Sequence, residues 1–183
     1  GEYTPDDVGN AHRLRDHSGA DLRFWAERGC WLAWDGQRWQ TDAAAAYQAA
    51  IATTRRMLTE AEDAGDDELA KWGRRSRSKE RLGAMLRLLS VLPGVRVCAK
   101  DLDADPFLLC CRNGTLDLRL GRLRGHRRAD LCTRMLDIEY QPNASVPQWL
   151  AFLTRVFAGD DDLIEYVQRC LLYTSDAADE HSW

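Results

Sequence analysis

The 183-residue sequence has no apolar run near the roughly 20 residues a membrane-crossing helix needs. That excludes a transmembrane reading. Its opening, Gly1-Glu2-Tyr3-Thr4-Pro5-Asp6-Asp7, is acidic and lacks an apolar h-region, so no secretory signal is visible and a cytoplasmic location is expected. Gly1 stands where an initiator Met would, and the expectation is an internal fragment. Cys-x-x-Cys spacing is also absent. The six cysteines (Cys30, Cys98, Cys110, Cys111, Cys132, Cys170) form no zinc-type pattern with histidine. Reduced thiols packing as small apolar side chains are expected, with no metal. Lysine is scarce: three of 25 basic residues are Lys and the rest Arg. A GC-rich genome produces that bias without any selection for phosphate chemistry.

What is present can build a core. Hydrophobic residues make up 45% of the chain and Trp occurs seven times, which excludes a disordered chain and suits one ordinary domain or two very small ones. The formal net charge of −4 hides an uneven distribution. Between Lys71 and Arg128 fifteen basic residues face five acids, so this middle block carries +10 and the flanks −14.

The pattern predicts an α+β fold: helices with small antiparallel hairpins and a meander. Asp6-Asp7 before Val8, Ala11 and Leu14 predicts a capped N-terminal helix. Leu22–Trp25, Cys30–Trp34 and Arg38-Trp39, broken by Asp35-Gly36, read as a hairpin in which Trp34 and Trp39 can pair across the turn. The Trp cluster is either a base-stacking platform or a small core, and the core is favoured. Thr41 or Asp42 caps a long helix over 43–64, with Tyr47, Ile51, Met57 and Leu58 expected inward. A second helix holds Leu69 and Trp72. A third starts at Ser76 or Ser78 and buries Leu82, Met85, Leu86, Leu88 and Leu89, until Pro93-Gly94 stops it. Asn113-Gly114 signals a hairpin after Phe107–Cys111. Leu116, Leu118 and Leu120 alternate with Thr115, Asp117 and Arg119, so the meander is expected to hide leucines and show arginines. A last extended piece covers 137–140. Two helices are expected to close the domain, 148–157 with Trp149, Phe152 and Val156, and 160–169 with Leu163, Ile164, Tyr166 and Val167.

Two groups could carry chemistry. Lys71–Arg81 holds six basic residues and one acid, enough to neutralise several phosphates. A solvated face pairing with the protein's own acids stands level with that reading. Asp101, Asp103 and Asp105 alternate as a divalent-ion or nucleotidyl-transfer site would need on an extended chain. An EF-hand is excluded by Pro106 and Arg112 at its sixth and twelfth positions. Turn and cap duty is favoured for the three.

Gly9-Asn10-Ala11-His12-Arg13-Leu14, Leu22-Arg23-Phe24, Trp31 to Trp39, Leu102 to Pro106 with Asn113 to Leu118 and Gly121, and Phe157-Ala158-Gly159-Asp160 with Tyr166-Val167-Gln168-Arg169 occur in order over about residues 7 to 169. Together they resemble the helicase-associated domain of phage and plasmid primase–helicases, the group related to the poxvirus primase–helicase. The resemblance implies a domain between an N-terminal primase and a C-terminal superfamily 3 helicase. It implies a hexameric motor that unwinds DNA with ATP and magnesium, in a bacterial host or phage-infected cell. The catalytic motifs would lie in the helicase domain. No G-x-x-x-x-G-K-[ST] loop occurs here, so no catalytic, cofactor-binding or metal residue is carried over. The implied domain spans 1–169, with a small hairpin region at 7–41, a helical region at 42–92, a β-meander at 105–140 and closing helices at 147–169. After Arg169 the chain departs from the family. Cys170 to Glu180 resembles a translated transposon-type sequencing adapter, so 170–183 is expected to be a non-native tail.

The expected function is a non-catalytic module that supports ring assembly and guides DNA. Arg74, Arg75, Arg77, Lys79, Arg122, Arg124, Arg127 and Arg128 are the candidate phosphate contacts. The alternatives are a protein-interaction collar without direct DNA binding and, further off, an aspartate-based nucleotidyl transferase or nuclease. The expected partners are DNA and further copies of the chain.

Overall fold

Asp6 starts the first helix as predicted, its carboxylate accepting from the Gly9 amide at 2.7 Å to satisfy one of the donors a helix start leaves open. The computed structural model describes residues 3–177, with side chains through residue 170. They form helix α1 (Asp7–Ser18), strands β1 (Leu22–Trp25), β2 (Cys30–Trp34) and β3 (Trp39–Thr41), and helices α2 (Ala43–Ala64), α3 (Asp67–Arg75) and α4 (Lys79–Leu89). Strand β4 (Arg96–Val97) follows, then β5 (Leu108–Cys111), β6 (Gly114–Asp117) and β7 (Arg122–Arg124), and helices α5 (Pro147–Val156) and α6 (Asp161–Ala177). The chain divides into two units, one up to residue 139 and one from residue 140. Among the described residues no helix is long and apolar enough to cross a membrane.

In the first unit, β3, β2 and β1 form an antiparallel meander, and β4 adds in parallel to β1. Successive side chains alternate between the two sheet faces, and both faces are covered. Leu22 and Trp31 join Leu14, Ala46, Ala50, Leu82, Met85, Leu86, Leu89 and Val95 in the main core against α1, α2 and α4. Leu32 and Trp39 join Val97 and Leu102 in a second cluster, edged by Trp25, Trp34 and Leu131. Trp34 and Trp39 pair in register across the turn, their rings 5.6 Å apart. Trp31 and Trp39 are therefore core residues, 8% and 1% exposed.

Helix α2 begins at the Asp42 cap and buries Ala46, Ala50, Thr53, Thr54, Met57 and Ala61. Tyr47 does not face the core as expected: it is exposed, while Ile51 and Leu58 are half-buried. The buried stripe runs through Ala46, Ala50, Thr53, Thr54, Met57 and Ala61, spaced three and four apart, and Tyr47 lies only at its edge, about 20° beyond Thr54 at about 100° per residue. In α4 the prediction holds for Leu82, Met85, Leu86 and Leu89, with Leu88 half-buried.

The second sheet, β5-β6-β7, is the antiparallel meander expected from the Asn113-Gly114 signal. Its turn lies one residue early, at Arg112-Asn113, because Gly114 pairs with Cys111 inside the ladder. Only glycine fits there, since a Cβ would lie 2.5 Å from the Arg124 carbonyl oxygen. Of the three leucines expected inside, Leu116 alone is buried; Leu118 and Leu120 are exposed. The Asp117 carboxylate accepts from the Arg119 amide and its carbonyl from the Leu120 amide, which ends β6 before either leucine. The extended piece over 137–140 is also not a strand. A single parallel bridge joins Cys111 to Leu136, and the Arg112 amide donates to the Ile138 carbonyl.

In the second unit, α5 and α6 bury Leu153 and Ile164, while Trp149, Phe152, Val156, Leu163 and Tyr166 are exposed. Helix α6 passes Arg169 without a break, and residues 178–183 of the expected foreign tail lie outside the described residues.

Leu89 and Tyr47 separate the two burial classes. Leu89→Ala should lower unfolding free energy by about 2–5 kcal/mol in urea titration, whereas Tyr47→Ala should change it by less than about 0.5 kcal/mol.

Candidate nucleic-acid interface

The first group of candidate cations sits at the corner between α3 and α4. Arg74 and Arg75 close α3, Arg77 lies in the Ser76–Ser78 connection, and Lys79 opens α4 under the Ser78 cap. All four are exposed, and none forms an ion pair among the described residues. Arg74 and Arg77 line a cleft of about 500 Å³ whose other walls include Leu58, Ala61, Glu62, Asp66 and Asp67.

The corner is fixed from beneath by a residue that carries no charge. Asn10, 1% exposed on the core side of α1, donates from Nδ2 to the Ser76 hydroxyl at 2.9 Å and accepts the Trp72 indole N–H at 3.0 Å. Ser76 itself is fully buried. Arg81 lies over the Trp72 ring, 4.3 Å from its centroid, and donates to Asp7 at 3.0 Å. Sequence reasoning noted Asn10 only inside a motif. Its signal was a polar residue in register with Leu14 on the apolar face of a helix. Neighbouring residues of that motif are structural too: Arg13 is nearly buried, pairs with Glu60 and covers Tyr3.

The second group lies on and after β7. Arg124 forms a two-pronged pair with Asp130, both contacts 2.8 Å. Arg128 donates to Asp21 at 2.5 Å, lies 5.6 Å from the Trp34 ring centre, and its carbonyl accepts the Trp39 indole N–H. Arg122 is exposed but stands opposite Asp117 in the ladder. Arg127 is exposed without an ion pair among the described residues. No hydrogen bond or ion pair joins the two groups among the described residues.

The aspartate row has separate duties. Asp101 accepts the Cys98 amide at 2.8 Å. Asp103, in the left-handed region with φ 49°, accepts from the Thr133 amide at 2.7 Å and from the Thr133 hydroxyl. Asp105 takes both arms of Arg119 at 2.9 Å and the Phe107 amide, and this partnership holds its pKa below the ordinary carboxylate value. Asp101 and Asp105 serve the cap and the turn as expected, whereas Asp103 ties its loop to Thr133, 30 residues along the chain. Among the described residues no three His, Cys, Asp or Glu side chains gather as metal ligands would.

A family model described as D5 N terminal like matches residues 11–158, which covers both arginine groups, the aspartate row and α5. The chain belongs to the D5 N-terminal-like family. It is thus a primase–helicase-associated N-terminal domain. Comparison with curated proteins gave no match. Within this D5-type domain, the motif stretches at residues 9–14 and 102–118 serve largely as staples: Asn10, Asp103, Asp105 and Gly114 each hold two segments in place.

The thiols of this D5-type domain are packed. Burial pushes Cys110 and Cys111 upward and Cys132 up to about 12, so they stay protonated at neutral pH. In the unfolded chain Cys132 returns toward the ordinary thiol value of 9.0. Between pH 9 and about 12 the unfolded state therefore holds fewer protons, and stability falls as pH rises. Urea midpoints at pH 8 and pH 10 should show a larger drop for the native sequence than for Cys132→Ala. Equal drops would contradict this assignment.

Removing the Asn10 amide should be costly because it strands the buried Ser76 hydroxyl and the half-buried Trp72 indole. Asn10→Ala should destabilise by about 2–4 kcal/mol in equilibrium unfolding, a methyl replacing two hydrogen bonds.

Proposed function

We propose that this chain is the helicase-associated module of a phage or plasmid primase–helicase, a non-catalytic part that supports ring assembly and guides DNA toward a superfamily 3 motor. In this reading the motor, its ATP and its magnesium belong to a segment beyond this sequence, and the intact protein assembles as a hexamer in the cytoplasm of its host. The observation that carries the DNA role is the α3–α4 corner. Its four exposed cations have no carboxylate partner among the described residues. Unpaired surface cations take up phosphates by releasing the counterions condensed on DNA, and the affinity then falls steeply with salt.

A second reading has its own support. Within the α5–α6 unit, Trp149, Leu150, Phe152, Val156 and Tyr166 are exposed. Such side chains suit a protein-contact collar more than a phosphate site.

Anisotropy of labelled single- and double-stranded oligonucleotides across a salt series tests the DNA role. The expected result is a linear fall of log affinity with log salt; a flat response removes it. Light scattering with and without oligonucleotide separates the collar, which gives concentration-dependent oligomers and little DNA affinity.

A further inference from the structure

We infer that the α3–α4 corner is the main phosphate grip, holding the sugar–phosphate backbone of DNA through Arg74, Arg75, Arg77 and Lys79, while Arg124 and Arg128 of the β5–β7 meander serve the fold. This rests on the DNA-guiding reading above and narrows it to one of the two arginine groups.

Three contrasts support the division. The first is charge economy. In the meander, Arg124 and Arg128 are committed to Asp130 and Asp21; Arg122, opposite Asp117 in the ladder, and Arg127 are the two that form no ion pair among the described residues, and they stand apart rather than as a cluster. A phosphate at Arg124 or Arg128 would have to displace a carboxylate that is already hydrogen-bonded. At the corner four cations occur within six positions, and none is paired among the described residues. The second is rigidity. The backbone under the corner is pinned through the buried Ser76 hydroxyl and the Trp72 indole to Asn10, so little of the mount needs ordering when a ligand arrives. The third concerns the occupant. Residues 74–79 include no apolar side chain, whereas protein interfaces gather apolar and aromatic groups at their centre and exclude charge from it. A polyanion needs cations alone. One feature opposes binding: Glu62, Asp66 and Asp67 share a cleft with Arg74 and Arg77 and repel phosphate there. Those acids set the edge of the footprint.

The test uses the full chain and the same salt series. Replacing Arg74, Arg75 and Arg77 together by Ala should reduce the slope of log affinity against log salt by about two to three, close to one unit per lost phosphate contact. Replacing Arg122 and Arg127 by Ala should leave the slope unchanged. Glu62→Gln with Asp67→Asn should tighten binding several-fold. All these side chains are exposed, and circular dichroism melting confirms that each variant is folded. If the native sequence binds DNA but the meander variant loses the slope and the corner variant keeps it, this inference is overturned while the DNA-guiding reading survives. If the native sequence shows no salt-dependent binding, the reading itself fails. If the corner variant dissolves an oligomer and leaves DNA affinity intact, the corner is a protein contact and the inference is overturned.

Discussion

The arrangement of the helical layer depends on a single amide. Asn10 sits where an apolar residue would be expected, one turn before Leu14 on the buried face of α1, and bridges the half-buried Trp72 indole and the buried Ser76 hydroxyl. The Trp72 indole N–H and the Ser76 hydroxyl both need a partner once buried, because an unmet polar group in the interior costs more than a made bond returns. Asn is one of the few side chains that can donate and accept at once over so short a span. Its position in α1 therefore dictates where α3 ends and how the chain enters α4. Gly9, next to it, has its own reason: a Cβ there would meet the Thr4 carbonyl oxygen at 2.0 Å.

Charge follows a similar economy. The acidic flanks and basic middle seen in the sequence do not face each other as blocks. They are spent pair by pair: Arg13 with Glu60, Arg81 with Asp7, Arg112 with Asp137, Arg119 with Asp105, Arg124 with Asp130 and Arg128 with Asp21. Most of these pairs are exposed and contribute little stability individually. Arg124 and Asp130 are the exception in geometry, two-pronged and largely enclosed, and they shape the end of the meander. The four cations of the α3–α4 corner are the densest group that this pairing leaves over among the described residues.

Local signals in the sequence were legible where one residue decides the outcome. The Asp6, Asp42 and Ser78 caps, the limits of α2 and the Trp34–Trp39 pair all follow from such signals. Burial was read less well, for physical reasons. Trp31, Leu32 and Trp34 do not alternate because the sheet is covered on both faces, so polarity ceases to mark direction. Tyr47 was expected inside because it is large, yet α2 approaches its neighbours through alanines and threonines. The leucines after Asp117 kept the period of a strand that a turn had already ended. Of the candidate site, sequence could find the cations. It could not tell the paired from the unpaired, since the partners of Arg128 and Arg81 are far away in the chain.

The parallel contact between β1 and β4 brings Phe24 opposite Arg96, and the Ala99 amide reaches the Glu27 carboxylate across 72 residues. Everything from β2 through α4 is thereby an excursion that departs from and returns to one strand edge. Neighbouring strands lie about 4.8 Å apart, so the two ends of this excursion meet almost as closely as a hairpin's. The entropy of closing so long a loop is lost before the contact offsets it. Once closed, the loop is a cyclic unit in all but covalent bond. The helices it carries are tethered at both ends to the same sheet, and a cut in one of its connections would leave two pieces still clasped together.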